Sequence, residues 1–322
     1  MSDLLIRLNF RAKYYFMKVA IIDLGTNTFN LLIAEKIPDG FTIIYNQKIP
    51  VKLGEKRINH GEIIPEAYER GINAIHKHEQ TIKSFNVDVV KAFGTSALRS
   101  ADNGQSFIDD IKQQLGIEIE IITGDREAEL IYKGVRQTID FTDKPSMILD
   151  IGGGSNEFII ANKDEVLWKK SYPLGIARLL AKFKPSDPIS SNEIETMNQF
   201  LREELKDLFI ETERYSIDKL IGASGSFETI EAMIMDTDSD SESSKQPSHF
   251  HIQRMDFDKL YQRLIKSTLE ERKVMKGLEP MRREMIVLAM IFIKYVLDSA
   301  EIKQLYQSSF ALKEGAVSEL MS

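Results

Sequence analysis

Two short stretches of the chain have the same pattern: Asp-Leu-Gly-Thr-Asn-Thr at residues 23–28 and Asp-Ile-Gly-Gly-Gly-Ser at residues 150–155. Aligned without a gap, they lie 127 residues apart, and the alignment continues to place residues 31–34 over residues 158–161. An aspartate, a glycine, a hydroxyl residue and a closing Ile-Ala all keep register between apolar runs. The sequence therefore predicts an internal duplication, in which each copy is a strand, a tight turn and a second strand.

The runs around each stretch indicate the fold class. Strand-like runs surround the first stretch at residues 18–24, 29–35 and 41–51, and the second at residues 146–151, 156–161 and 166–172. Short turns join each set, which predicts antiparallel neighbours. Helical periodicity alternates with further strands after each set. We therefore expect an α/β protein with two similar lobes around a central cleft.

The expected boundaries follow from where the pattern restarts. Residues 17–124 are assigned to lobe one and residues 125–308 to lobe two, while residues 1–16 are interpreted as an upstream start or a disordered extension. The spacing of Ser190 and Glu193 is typical of a capping box and predicts a long helix to about residue 214. The Asp- and Ser-rich residues 236–248 predict a mobile loop.

Composition excludes several classes of protein. The 322 residues are 43% hydrophobic and 28% charged, which is ordinary for globular domains. No cysteine is present, so disulfides, cysteine–zinc sites and thiol catalysis are excluded, and a cytoplasmic location is expected. The net charge of −7 argues against a general nucleic-acid or membrane binder. A polyanionic ligand would need a local site of amide groups, metal and a few cations.

The two turns are suited to holding phosphate. Glycine lets the backbone approach an anion and aim consecutive N–H groups at it. The candidate phosphate-binding residues of the turns are Gly25, Thr26, Asn27, Gly152, Gly153, Gly154 and Ser155. The carboxylates of Asp23 and Asp150 would repel phosphate unless a cation lay between them, which predicts Mg²⁺. One such turn alone would be explained as well by an ordinary hairpin with an Asx motif.

Further candidates are single residues, each with a structural alternative. Glu127, in the first turn of a predicted helix, is a candidate general base, or it stabilises the helix dipole. Glu157 is a candidate metal ligand or an exposed strand residue. Arg99, directly after a strand, is a candidate phosphate ligand or a surface residue. Gly222 and Ser224, in a strand-to-helix loop, are weaker candidates for binding an anion.

Other polar groups are expected to be structural. His249 and His251 have no partner cluster for a metal. The pairs at residues 169–170 and 282–283 are interpreted as solvated basic faces.

Taken in order, the motifs resemble those of the Ppx/GppA phosphatase family. They include residues 23–29, 94–99, 124–131, 150–157, 173–175, 222–225 and 309–315. The resemblance implies an actin/hexokinase/Hsp70-like fold, with two ribonuclease-H-like lobes around a central cleft. It also implies Mg²⁺-dependent release of terminal phosphate from polyphosphate or guanosine pentaphosphate. It implies Glu127 as the catalytic glutamate, Asp150 and Glu157 as metal-associated acids, and Arg99 as a phosphate ligand. It also places the C-terminal helix, residues 309–322, with lobe one.

Two departures from the family pattern stand out. Asn30 occupies a position where Arg or His is common, and the chain ends soon after Gly315, as in a short form without the C-terminal helical domain. We expect exopolyphosphatase activity on shorter chains, with guanosine pentaphosphate hydrolysis as the alternative. A kinase of the same superfamily and a non-catalytic phosphate sensor are less favoured because Glu127 is present. The sequence leaves a homodimer open.

Overall fold

A computed structural model describes residues 17–236 and 249–321, so the predictions for residues 1–16 and for most of residues 236–248 lie outside the described residues. The chain divides into two compact units. Unit 1 extends to Gly134 and includes the C-terminal segment from Leu312, and unit 2 comprises Val135–Ala311. Within the described ranges, no helix combines the length and the apolar composition that crossing a membrane requires.

Unit 1 is built on a five-stranded sheet in the order β3-β2-β1-β4-β5. Its strands are β1 (Lys18–Leu24), β2 (Thr28–Ile37), β3 (Gly40–Pro50), β4 (Val89–Gly94) and β5 (Ile119–Ile121). Its helices are α1 (Pro65–Ser84), α2 (Ser96–Ser100), α3 (Gly104–Leu115), α4 (Gly124–Val135) and, from the C-terminus, α12 (Leu312–Met321).

The alternation of side chains along β1 decides what each face of this sheet contacts. Ala20, Ile22 and Leu24 point into a core formed with Ile75 of α1 and Phe107 of α3. The next residues in the strand point to the opposite face, where α12 packs on the sheet. Two apolar faces explain why β1 and β2 are almost continuously buried.

Unit 2 is built on a six-stranded sheet in the order β10-β11-β9-β6-β7-β8. Its strands are β6 (Ser146–Ile151), β7 (Asn156–Ala161), β8 (Val166–Tyr172), β9 (Lys219–Ala223), β10 (His249–Ile252) and β11 (Gln304–Ser308). Its helices are α5 (Ile176–Phe183), α6 (Ser191–Glu204), α7 (Lys206–Tyr215), α8 (Gly225–Ile234), α9 (Arg254–Ile265), α10 (Leu269–Lys273) and α11 (Ile286–Ser299).

The two sheets confirm the predicted duplication. The order β8-β7-β6-β9-β11 reproduces β3-β2-β1-β4-β5, and unit 2 adds β10 at the edge. Both meanders are antiparallel, as predicted, and the fourth strand of each sheet pairs parallel to the first. A register shift falls at Ile33/Ala34 in unit 1 and at Ile160/Ala161 in unit 2, positions that the gap-free alignment superposes. Conservation of a bulge position adds evidence that one hairpin was copied.

The structure differs from the sequence-based division in where the first segment of unit 1 ends. Unit 1 continues ten residues past the expected boundary, because α4 packs on α12. A Cβ atom on Gly315 would lie 1.8 Å from the carbonyl oxygen of Leu130, so these helices cross at backbone contact. Glu319 of α12 also forms ion pairs with Arg126 and Lys133 of α4.

The predicted long helix after Ser190 begins as expected, since both hydrogen bonds of the capping box with Glu193 are formed. It ends at Glu204, however, and α7 starts after Leu205. The break was wrongly predicted as continuous helix, because Leu205 buries its apolar side chain in the core while leaving the helical conformation. Helix α5, which follows Gly175, was not predicted.

Candidate active site

The hairpin of unit 1 pairs an aspartate with an amide. The turn closes through the amide of Gly25, which donates to the carbonyl of Thr28 at 3.0 Å. This turn places Asp23 of β1 opposite Asn30 of β2, and Asn30 Nδ2 donates to Asp23 Oδ2 at 3.0 Å. Asn30 in turn lies opposite Lys48 of β3. Cross-strand pairs lie on one face of the sheet, so these three side chains form a row.

The environment of Asp23 disfavours its charged form. Burial raises the pKa of the Asp23 carboxyl, and the nearby Glu314 carboxylate adds to the rise, while the Lys313 ammonium and the Asn30 amide oppose it. Asn30 Nδ2 donates to the Asp23 carboxylate, while Asn30 Oδ1 is buried and has no hydrogen-bond partner among the described residues. The metal role of Asp23 stays a prediction.

The backbone of the turn in unit 1 is hydrogen-bonded to the loop after β3. The carbonyl of Asn27 accepts hydrogen bonds from the amides of Val51 and Lys52, both at 2.9 Å, and the carbonyl of Thr26 accepts from Gly54 at 3.3 Å. The Thr26 side chain is buried. The backbone of the turn is thus fixed by a segment more than twenty residues away, which the sequence did not indicate.

Arg99 and Glu127 meet within unit 1. Arg99 lies on the short helix α2 after β4, and Glu127 lies in the first turn of α4. Arg99 Nη1 donates to Glu127 Oε2 at 3.2 Å and to the carbonyl of Ile122 at 2.7 Å. The Glu127 residue is 8% exposed. Two residues selected separately from the sequence, 28 positions apart, therefore form one ion pair.

The hairpin of unit 2 pairs two carboxylates. Its turn closes through the amide of Gly152, which donates to the carbonyl of Ser155 at 3.0 Å, as Gly25 does in unit 1. This places Asp150 of β6 opposite Glu157 of β7, and Glu157 opposite Ser171 of β8. Both acidic residues are buried, at 7% and 1% exposure. Because Asp150 and Glu157 are a cross-strand pair, their carboxylates leave the sheet on the same face.

Serine hydroxyl groups hold this pair of acids. Ser155 Oγ and Ser171 Oγ donate to Glu157 Oε1 at 2.6 and 2.7 Å, and Ser224 Oγ donates to Asp150 Oδ2 at 2.7 Å. Hydrogen bonds donated to a carboxylate favour its charged form and fix its orientation. The arrangement keeps two acidic groups side by side in a buried place.

The carbonyl groups of the turn of unit 2, residues 152–155, all accept hydrogen bonds. The carbonyls of Gly152 and Gly153 accept from the first amides of α5, at 3.0 and 2.9 Å, and the carbonyl of Gly154 accepts from Arg178 Nε at 2.8 Å. Within the described part of the chain, the amides of Gly153 and Gly154 donate to no protein acceptor. Gly175 permits the close approach of α5, since a Cβ there would lie 2.4 Å from the Gly153 carbonyl group. The predicted glycine-rich turn is thus able to donate to an anion.

Gly222 and Ser224, the two candidates from the strand-to-helix loop, have different surroundings from those predicted. Gly222 lies in β9, where a Cβ would strike the Phe227 ring at 2.0 Å, so its missing side chain is explained by packing. Ser224 follows β9 and directs its hydroxyl to Asp150. Neither observation supports the predicted direct contact with phosphate.

Arg282 contradicts the expectation of a solvated basic face at residues 282–283. Its side chain is only 18% exposed and its Nε donates to Glu279 Oε2 at 3.0 Å. Its guanidinium lies over Gly225 at the start of α8, where a Cβ would meet Nη2 at 1.6 Å. A cation therefore lies beside the loop that carries Ser224, and periodicity alone did not distinguish it from a surface arginine.

The donor set of unit 2 is compatible with Mg²⁺. Across residues 17–236 and 249–321, no three histidine or acidic side chains cluster so as to enclose a metal by themselves, His249 and His251 included. Mg²⁺ rarely needs such a cage, because one or two carboxylates, waters and substrate oxygens complete its shell. Asp150 and Glu157 supply two hard oxygen ligands on one face, which fits this chemistry better than the single carboxylate of Asp23 beside Asn30.

The duplicated sheet and its acidic hairpins define the class: a ribonuclease-H-like protein of the actin-like ATPase superfamily. The chain belongs to the Ppx/GppA phosphatase family, whose model matches residues 32–322. It is thus a hydrolase of a family that acts on phosphoanhydride bonds.

Individual relatives carry two kinds of name. The chain is similar to the crystal structure of an exopolyphosphatase from Cytophaga hutchinsonii, with 36% identity, a TM-score of 0.91 and coverage of 95% of this chain and 98% of the other. A Haemophilus influenzae protein provisionally named exopolyphosphatase is 27% identical, over 94% of this chain and 91% of its own length. A guanosine-5'-triphosphate,3'-diphosphate pyrophosphatase of Vibrio vulnificus is 26% identical, and the chain spans 59% of that relative.

Two of the site's features were within reach of the sequence and one was not. The alignment that superposes Asp23 and Asp150 also superposes Asn30 and Glu157, so the change from carboxylate to amide was already visible. Ser171 was not identifiable, because the turns between the second and third strands differ in length and hide the correspondence with Lys48.

Proposed function

We propose that this protein is an exopolyphosphatase that uses Mg²⁺ to release terminal orthophosphate from inorganic polyphosphate. The observation that carries this proposal is the contact between Glu127 and Arg99, which joins a candidate base to a candidate phosphate ligand in unit 1. The names of the Cytophaga and Haemophilus relatives support the choice of polyphosphate.

Each unit contains candidate donors for a phosphoryl group. Arg99 presents a guanidinium suited to two phosphate oxygens. The amides of Gly153 and Gly154 offer two further donors, and the turn of Gly25 to Asn27 is assigned the same role by its matching geometry. A chain of net charge −7 binds a polyanion only through such local donors.

Glu127 is assigned the role of general base. Its carboxylate accepts a proton from water as the water oxygen forms a bond to the terminal phosphorus. The bridging P–O bond breaks at the same centre, and the shortened chain leaves with the bond electrons. Arg99 fixes the orientation of the Glu127 carboxylate and offers its remaining N–H groups to the charge that develops on the phosphoryl oxygens.

Asp150 and Glu157 are assigned as the residues that would hold Mg²⁺. The cation, when bound, neutralises charge on the phosphate oxygens. The chain's own contribution is to fix the orientation of both carboxylates, through the hydrogen bonds that the hydroxyls of Ser155, Ser171 and Ser224 donate.

Guanosine pentaphosphate is the second candidate substrate, because the Vibrio relative is named for hydrolysis of that nucleotide. The test is a comparison of initial rates on short polyphosphate, long polyphosphate, guanosine pentaphosphate and ATP, with and without Mg²⁺. We expect the highest kcat/KM on polyphosphate and little release without Mg²⁺. A clear preference for the guanosine nucleotide would show that polyphosphate is the wrong substrate assignment. Turnover independent of divalent cations would show that the reaction does not use Mg²⁺.

A further inference from the structure

Ser224 has a backbone conformation that side chains other than glycine avoid. Its φ of 67° and ψ of −180° lie in a region occupied almost entirely by glycine, and the residue before and the residue after it are small as well. Such conformations persist where the surrounding structure requires them, and they concentrate at functional sites. A glycine at position 224 would adopt this conformation without strain. The presence of a serine, and not a glycine, at residue 224 therefore needs an explanation.

The Ser224 side chain does not perform the task usual for a serine at this place. Ser224 is the N-cap of α8, where a serine hydroxyl normally accepts a hydrogen bond from the first turn. No side-chain capping bond is formed here. The Ser224 carbonyl accepts from the amides of Phe227 and Glu228, and the hydroxyl instead donates to Asp150 Oδ2 at 2.7 Å.

The neighbouring strands explain why this contact needs the unusual backbone. Ala223 pairs with Asp150 where β9 and β6 run parallel, so the next residue stands beyond the end of the pairing. A positive φ turns the chain sharply at that point, and the hydroxyl of Ser224 comes back to the carboxylate of the adjacent strand. The backbone strain and the hydrogen bond are thus two parts of one feature.

We infer that Ser224 is a positioning residue that orients the Asp150 carboxylate for a divalent cation, and that it does not bind phosphate. The inference rests on the proposed role of Asp150. It predicts that the hydroxyl, and not the small size of the residue, is required. It also predicts that the most stable variant at this position is among the least active.

Three substitutions separate the hydroxyl from the backbone strain. Ser224→Gly removes both, Ser224→Ala removes the hydroxyl and keeps the strain, and Ser224→Thr keeps the hydroxyl and adds a branched Cβ. In urea unfolding without Mg²⁺, we expect the glycine variant to exceed the alanine variant by about fivefold in folding equilibrium constant or more, and the threonine variant to be no more stable than wild type. Ser216 is the matched control: it also has a positive φ, of 51°, and is exposed at the end of α7.

Cation binding supplies the readout that a purely structural role would not change. We expect Ser224→Gly and Ser224→Ala to weaken binding of Mn²⁺, measured by electron paramagnetic resonance on substrate-free protein, by about tenfold. The Mg²⁺ concentration for half-maximal phosphate release should rise by the same factor. Ser224→Thr should remain within about twofold of wild type in both. Ser216→Gly and Ser216→Ala should change only the free energy of unfolding and should leave Mn²⁺ binding and the Mg²⁺ requirement as in wild type.

Two results would overturn the inference. One is unchanged Mn²⁺ binding in Ser224→Gly and Ser224→Ala. The other is a raised KM for polyphosphate at saturating Mg²⁺ with an unchanged Mg²⁺ requirement, since that outcome would assign the hydroxyl to substrate. Failure of the proposed function is distinguishable: wild-type protein would then release no phosphate from polyphosphate, while the Mn²⁺ titration would still report on Ser224.

Discussion

The hairpins of units 1 and 2 share the same backbone geometry but carry different polar side chains. Both close through a glycine amide and a hydroxyl residue's carbonyl at 3.0 Å, and both place an aspartate opposite the residue seven positions later. Across the three strands of the meander, unit 1 has Asp23, Asn30 and Lys48, whereas unit 2 has Asp150, Glu157 and a serine. Unit 1 thus has one carboxylate in a row with an amide and an ammonium group, and unit 2 has two carboxylates in a row with a hydroxyl group.

This difference shows which property of a duplicated element is easily changed. The register depends on the turn and on the apolar face, so it persists while the polar row changes by single substitutions. A carboxylate beside an amide donor is satisfied within the protein. Two carboxylates side by side in a buried place repel each other when both are charged, and buried charges are stable only with a partner.

The largest effect is expected when the acids of the two hairpins are neutralised in turn. Asp150→Asn and Glu157→Gln should each lower Mg²⁺-dependent phosphate release by about a hundredfold or more, because the cation ligand is lost. Asp23→Asn should lower it less than about tenfold, since its partner Asn30 can still form a hydrogen bond. Initial rates at saturating Mg²⁺ measure all three. Equal losses in Asp23→Asn and Asp150→Asn would break the proposed division between the hairpins.

Unit 1 is also expected to lose stability in mild acid. His78 of α1 is fully buried, its Nε2 donates to the carbonyl of Phe29 at 3.3 Å, and its Nδ1 has no partner within the described residues. Burial lowers the pKa of His78 to about 4, from the ordinary 6.5, although the bond to Phe29 opposes the shift. The unfolded chain therefore takes up a proton at a higher pH than the folded one. The stabilisation is complete above about pH 6.5 and is lost as the pH falls towards 4, to a limit of about 3 kcal/mol.

Urea unfolding at pH 7 and pH 4.5 tests this dependence. His78→Leu should remove that part of the acid destabilisation, whereas the exposed His76→Leu on the same helix should retain it. If both variants and the wild type lose the same free energy of unfolding between these pH values, His78 is not the group responsible.

A smaller effect on stability is expected from substituting the glycines that pack against the two turns. A Cβ on Gly175 would meet the backbone of Gly153 at 2.4 Å, whereas a Cβ on Gly54 would meet the side chains of Ile58 and Thr26 at 2.8 Å. Side chains can move and a fixed turn cannot. We expect Gly175→Ala to cost about 2 kcal/mol in free energy of unfolding and Gly54→Ala less than half as much. Thermal and urea unfolding measure both, and a reversed order would show that the turn of unit 1 is the more rigid.

The fold class and the family could be predicted because their signals are local and repeated. The Asp-x-Gly turns, the apolar runs and the capping box at Ser190 and Glu193 each determine nearby structure, and the topology confirms the duplication. The turn glycines and the acids at 150 and 157 are found where the aligned stretches placed them. Their functional roles, with those of Glu127 and Arg99, stay predictions.

The remaining features depend on contacts between distant segments. The pairing of Arg99 with Glu127, the bonds from α5 to the glycine turn and the place of Arg282 over Gly225 are set by packing, which no spacing encodes. Ser224 was a weaker candidate for binding an anion, because it lies in a loop between a strand and a helix. Its positive φ, which directs the hydroxyl to Asp150, has no signature in one sequence.

The most direct test of the account is phosphate release by Glu127→Gln at saturating Mg²⁺ and polyphosphate. The amide preserves the shape of the side chain and removes its capacity to accept a proton from water. We expect kcat to fall by about a thousandfold, with thermal unfolding close to that of wild type and KM nearly unchanged. Full phosphate release by this variant would contradict the assignment of Glu127 as the base and with it the proposed mechanism.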